Sequence, residues 1–147
     1  MRNTPESVSW RPYRLSVVAT LVLLSLQAWT GDFVNVFVTT SPKSGVIQSL
    51  TGFFQTVGMQ GPFLVWHAIE GMLIVLSGVG VLVVSLRHDR RNVKLASLLG
   101  LFFVLSAGIG GYLFVLSGFS SGGSSMQMGG SFIAAYAFYF IGLYFSK

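Results

Sequence analysis

The chain has no cysteine, two histidines and four acidic residues in 147 positions, and only 9% of its residues are charged. Without cysteine there is no disulfide scaffold, thiolate metal site, iron–sulfur cluster, cysteine nucleophile or covalent c-type haem attachment. Soluble domains carry roughly a quarter charged residues, so this chain lacks the side chains to coat a water-facing globule. It is equally far from the low-hydrophobicity composition of a disordered segment. Enzyme motifs are sparse too: no Ser-x-x-Lys, His-Glu-x-x-His or phosphate-binding glycine loop with its lysine occurs.

What is present is hydrocarbon. Hydrophobic residues make up 52% of the chain and aromatic ones 14%, and the mean hydropathy is +0.72. A bilayer core needs roughly 20 apolar residues in helical form. Four stretches meet that length, at about 13–38, 62–86, 95–117 and 126–145. Pro62 suits a first helical turn. The Arg87-His88-Asp89-Arg90-Arg91 run is too polar for hydrocarbon, and the Ser/Gly run at 120–125 reads as linker. The predicted fold is all-α: an integral membrane four-helix bundle, up-down-up-down, forming a single membrane domain over 1–147. The first apolar run follows Arg11 and Arg14 but lacks a small-x-small cleavage site, so it reads as a retained helix and not as a signal peptide. Between the first two spans, Val46, Ile47, Leu50, Phe53, Phe54 and Val57 recur at helical spacing. They predict an amphipathic interfacial helix over about 46–58 with Phe53 and Phe54 facing inward, either covering the bundle end or forming a lid over a site.

Eight of the nine basic residues (Arg2, Arg11, Arg14, Arg87, Arg90, Arg91, Lys94 and Lys147) fall on one side of this topology, and only Lys43 falls on the other. The excess of arginine and lysine predicts a multi-pass protein of the cell membrane with both termini cytoplasmic. The net charge of +5 then expresses topology and contact with anionic lipid head groups, with no nucleic-acid partner implied. Packing is expected along small residues. Ala107, Gly111 and Gly118 lie within roughly 20° of the Gly100 direction on a helical wheel, Gly71 and Gly78 share the face of His67, and Gly130, Ala134 and Ala137 lie close to one face of the fourth span. Such stripes let membrane helices approach closely, within one chain or between copies in a homo-oligomer.

Ionisable groups inside a span are costly and therefore point to function. Asp32 lies in the first span, and His67 and Glu70 lie in the second at similar depth; Gln27, Thr30 and Asn35 share that region. Together Gln27, Asp32, Asn35, His67 and Glu70 predict a polar pocket in the outer half of the bundle. Asp32 is turned roughly 140° from Gln27, which places it near the interface and away from any partner the two would share. His67 and Glu70 are i, i+3 neighbours able to pair directly. Four readings compete. The pair satisfies itself and pins the packing. Alternatively, His67 ligates haem b opposite Met126 or Met128, in a pocket built with Trp66, Tyr112 and Tyr136. A third reading makes Asp32, His67 and Glu70 a proton or small-solute pathway, with Ser16, Thr20, Ser77 and Ser97 as its weak continuation. The last is a non-haem metal site, which would need more carboxylates than the chain owns. One span histidine excludes a bis-histidine, two-haem site.

The run Leu26-Gln27-x-x-x-Gly31-x-x-x-Asn35-x-Phe37-Val38-Thr39, followed by His67-Ala68-x-x-Gly71, resembles a group of small four-span prokaryotic membrane proteins without an assigned function. The resemblance implies the four-span architecture and polar positions at Gln27, Gly31, Asn35 and His67. Asp32 and the glycine- and serine-rich third loop depart from that pattern. The expected role is a small membrane subunit or accessory protein whose pocket binds a partner or ligand, more in keeping with a non-enzyme than an enzyme. A single-haem b-type electron carrier and a transporter-like protein are the alternatives.

Overall fold

A computed structural model describes residues 9–37 and 50–147. Five helices follow one another: α1 (Arg11–Phe37), α2 (Leu50–Met59), α3 (Pro62–Leu86), α4 (Arg91–Leu116) and α5 (Gly122–Phe145). All but α2 are long and apolar enough to cross a membrane. The all-α bundle is as predicted, and α3 has the predicted bounds.

Two helices start earlier than hydropathy indicates. Helix α4 begins at Arg91 and not near Leu95, because a membrane helix continues through its polar flank where hydropathy marks only the hydrocarbon part. Helix α5 begins at Gly122, so the linker ends at Ser121. The Ser121 hydroxyl accepts the Ser124 backbone N–H at 3.2 Å, which makes it an N-cap and turns the following Gly and Ser residues into a first turn. Upstream, α4 stops where Gly118 and Phe119 both take φ of 63°. The Phe119 N–H reaches back to Phe114 O at 2.9 Å, a left-handed closure of the helix end.

Helix α1 packs against α3, α3 against α4, α4 against α5 and α5 back against α1, closing a ring of four antiparallel neighbours. Helix α2 rests on α3 and α4. Val57 is buried and Phe53 packs on Tyr112 with ring centroids 5.2 Å apart. Phe54, however, is 58% exposed, contrary to its expected inward orientation; consecutive helical residues diverge by about 100° and cannot both face the bundle. The start of the expected interfacial helix, with Val46 and Ile47, lies outside the described residues.

Two tyrosines decide which small residues matter. Tyr139 of α5 lies fully buried across Gly78 of α3 and Gly100 of α4. A Cβ at either glycine would meet its ring or hydroxyl at 2.9 Å or less. Tyr13 of α1 occupies the same kind of gap over Gly142, and its hydroxyl pairs with Ser97 Oγ at 3.2 Å. Along α4, Gly110 lets the Met128 backbone come within 2.8 Å of where its Cβ would stand. The buried face of α5 is Ser131, Ala135, Tyr139 and Gly142. Gly130 and Ala137 are exposed, so the small face expected on that span is not the packing face. The large ring of Tyr139 sets the rotation of α5.

At one end of the bundle, called here the basic end, Arg14 and Arg90 bind the carbonyls that close α5. Arg14 Nε donates to Ser146 O at 3.1 Å. Arg90 Nη1 donates to Phe145 O and Lys147 O, both at 2.6 Å. Two cations thus meet the negative end of the α5 dipole. Beside them the buried His88 ring stacks on Trp10, centroids 3.8 Å apart and planes 11° from parallel.

Candidate functional site

In the half of the bundle far from the basic end, α1 and α3 face each other through complementary polar and small residues. Gly31 of α1 stands opposite the His67 ring, where an added Cβ would lie 3.2 Å from Cε1. Gly71 of α3 likewise leaves room for the Gln27 amide at 3.7 Å. The two glycines let the long side chains cross between helices instead of folding back along their own.

The hydrogen bonds form one connected chain. Gln27 Nε2 lies 3.0 Å from His67 Nε2, and Thr30 Oγ1 lies 3.1 Å from His67 Nδ1. Thr30 Oγ1 donates to Glu70 Oε2 at 2.6 Å, and Trp66 Nε1 donates to Glu70 Oε1 at 2.8 Å. The directions follow from proton counting. A threonine hydroxyl has one proton; with that proton on Glu70, Thr30 accepts from His67 Nδ1–H. In the neutral imidazole Nε2 is then the acceptor, and it takes a proton of the Gln27 amide. The Thr30, His67 and Trp66 protons each have an acceptor, and both carboxylate oxygens of the buried Glu70 are bonded. One acceptor stays open: Gln27 Oε1 is buried without a protein partner.

Thr30 stands between His67 and Glu70, and the direct bond expected from their i, i+3 spacing is not formed. Thr30 shares the polar region by sequence but stands outside the expected pocket, because it resembles any span hydroxyl; its Oγ1 also lies 3.2 Å from Gln27 O, one turn back. Trp66 was expected as the wall of a cofactor pocket. Its i, i+4 spacing to Glu70 is the signal for the indole–carboxylate bond, while the residue as a whole is 57% exposed.

The remaining predicted site residues lie elsewhere. Asp32 is exposed on α1, apart from the chain of bonds. Asn35 belongs to α1 by its backbone, and its side chain lies outside the described residues. Met126 is 80% exposed, and Met128 packs on α4 with its sulfur 3.4 Å from the Cβ position of Gly111. Tyr112 is engaged by Phe53, and Tyr136 pairs with Ser25 at 3.2 Å. These residues do not fit a haem b axial pair, because both His67 nitrogens are already engaged, Met126 is exposed and Met128 packs on α4. Among the described residues no cluster of three or more metal-ligating side chains occurs.

Below the cluster the bundle turns apolar. Leu24 and Ile74 are buried there at 2% and 3% exposure. The next polar contact between α1 and α3, Thr20 Oγ1 to Ser77 Oγ at 2.6 Å, lies two turns further along, about 10 Å at 1.5 Å per residue. Gly118-Phe119-Ser120-Ser121-Gly122 spells the Gly-x-Ser-x-Gly pattern of a nucleophile elbow. Here it joins two helices instead of a strand and a helix, and the Ser120 hydroxyl is spent on Ser117 O at 2.6 Å. It is a turn.

No family model matches the chain, and no curated protein or solved structure proved significantly similar to it.

Proposed function

We propose that the chain is a small integral membrane subunit or accessory protein, and that the Gln27–His67–Thr30–Glu70–Trp66 cluster is where it engages a partner subunit or a ligand. One observation carries this reading: a fully connected ionisable network sits in the far half, closed from below by Leu24 and Ile74. A buried charge is a poor stabiliser, and well-packed apolar residues serve a bundle as well or better. The exposed Trp66 gives the cluster an outward-facing side, and the buried Gln27 Oε1 keeps an open acceptor within it. A donor arriving there completes the hydrogen bonding. The apolar layer favours a dead-end binding site over a pathway, since the α1–α3 contact offers a proton or solute no further polar pair for about two turns. By the distribution of arginine and lysine, the basic end is cytoplasmic and the cluster lies in the outer leaflet.

A photo-crosslinking residue at Phe63, half-exposed one turn before Trp66, tests this in native membranes. It should give one discrete adduct that weakens when Glu70 is changed to Gln. The same group at Leu76, which is 68% exposed, should give only lipid. Identical products from both positions would remove the basis for a site. Cysteine at Asp89 and at Ser120, both exposed, tests the orientation: an impermeant reagent added outside should label position 120 and leave position 89 unlabelled.

A further inference from the structure

At the basic end an open groove of about 330 Å³ runs down the outside of the bundle between the end of α3 and the start of α4. Its walls are Leu82 and Leu86 from α3 and Leu95 and Leu98 from α4, and its mouth is Arg91 and Lys94. No acidic residue lines it. Arg91 and Lys94 are i, i+3 neighbours and project from one face of the first turn of α4. Neither side chain has a hydrogen-bond or ion-pair partner among the described residues, whereas Arg14 and Arg90 at the same end are consumed by the α5 carbonyls. The first turn of α4 also lacks an acidic residue and a side-chain cap, so the positive end of its dipole adds to the same mouth. Leu86, Leu95 and Leu98 are each at least half exposed along the membrane-spanning part of their helices.

We infer that this groove binds one anionic phospholipid, its phosphate between Arg91 and Lys94 and one hydrocarbon chain along Leu82, Leu86, Leu95 and Leu98. Charge complementarity selects the head group. Two cations with no internal counter-ion stand at the level where a lipid phosphate lies, and basic recesses between membrane helices are suited to such groups. The leucine walls select a lipid over free phosphate, because they continue from the mouth into the hydrocarbon layer. The site is separate from the polar cluster in the far half and does not depend on it.

Native mass spectrometry of the protein released from nanodiscs of defined composition tests the inference. The comparison uses an anionic and a zwitterionic phospholipid with identical chains, and inorganic phosphate as competitor. The wild type should retain one anionic lipid and discriminate against the zwitterionic one. Arg91→Gln with Lys94→Gln should weaken that retention about thirtyfold, the equivalent of about 1 kcal/mol per basic residue near a membrane surface. Arg11→Gln with Lys147→Gln removes the same charge from the same end and should leave the bound lipid in place. Leu98→Trp, which fills the groove and keeps both cations, should also displace it. Equal loss in both charge-removed variants would reduce the effect to general surface charge and overturn the site. Retention of the zwitterionic lipid as strongly as the anionic one, or displacement by inorganic phosphate alone, would overturn it as well.

Discussion

In the basic half of the bundle, Ser16, Thr20 and Ser97 each return a hydroxyl to a carbonyl one turn back on their own helix, at 2.8–3.0 Å. In the far half, Gln27, His67 and Glu70 find their partners chiefly across the α1–α3 contact. The first arrangement survives the loss of any one partner helix. The second exists only in the assembled bundle, so its polar groups are left without partners if one member is lost. The tyrosine–glycine locks are distributed the other way: Tyr139 and Tyr13 lie over Gly78, Gly100 and Gly142 in the basic half, while the α1–α3 contact of the far half relies on hydrogen bonds. The tyrosine locks and the buried polar network therefore occupy opposite halves.

Substitutions in each half sharpen that contrast. Tyr139→Ala should be the most damaging, by about 3–5 kcal/mol, because it opens a ring-sized cavity between three helices. Tyr139→Phe should cost nothing measurable or stabilise, since the buried hydroxyl has no partner. Thermal melting in detergent reads both, and a costly Tyr139→Phe would break the assignment of that half to packing. Thr30→Val comes next. It leaves His67 Nδ1 and Glu70 Oε2 each short of a partner, at about 1–3 kcal/mol. Thr20→Val in the other half should stay within about 0.6 kcal/mol, the usual size of a membrane polar contact. Equal costs for the two threonines would erase the difference between the halves.

Gly31→Ala is smaller, about 1 kcal/mol, because the His67 ring must move a few tenths of an ångström to clear the new methyl. The same change at Gly108, which faces open space, should be silent.

The smallest effect is a pH dependence at the basic end. Burial beneath Trp10 pushes the His88 imidazole below its ordinary range, against the opposing pull of the Asp89 carboxylate. As pH falls through about 6.5, the unfolded chain takes up a proton that the folded chain refuses, so stability declines with acidification until the lower folded value is reached. His88→Phe keeps the stack and should flatten the slope of melting temperature between about pH 7.5 and 5.5, a range that brackets the ordinary histidine value of about 6.5.

The spans were legible because apolar length is a one-dimensional property, and so was the concentration of polar groups near His67. Helix starts were less so. Arg91 and Gly122 extend their helices by flank polarity and by a serine cap, neither of which registers as hydropathy. Which glycines matter depends on where Tyr139 and Tyr13 lie, a fact held in other helices and absent from the periodicity of any one. Within the site, Gln27, His67 and Glu70 stand out as costly residues in a span. Thr30 does not, because a hydroxyl one turn from a carbonyl looks self-satisfied until α3 is packed against it. Asp32 was included by depth, but its direction on α1 takes it out of the network.

The hydrogen-bond chain makes one claim that no packing effect imitates. Trp66 and Thr30 spend their protons on Glu70, which forces the His67 proton onto Nδ1 and leaves Nε2 as an acceptor for Gln27. The two histidines are at positions 67 and 88, so nitrogen-15 NMR of histidine-labelled protein carrying His88→Phe reports His67 alone. The account predicts a protonated Nδ1 and an unprotonated Nε2 in the neutral ring. Protonation at Nε2 with a bare Nδ1 would mean that Thr30 donates to the imidazole and not to the carboxylate, and would contradict the network on which the proposed site rests.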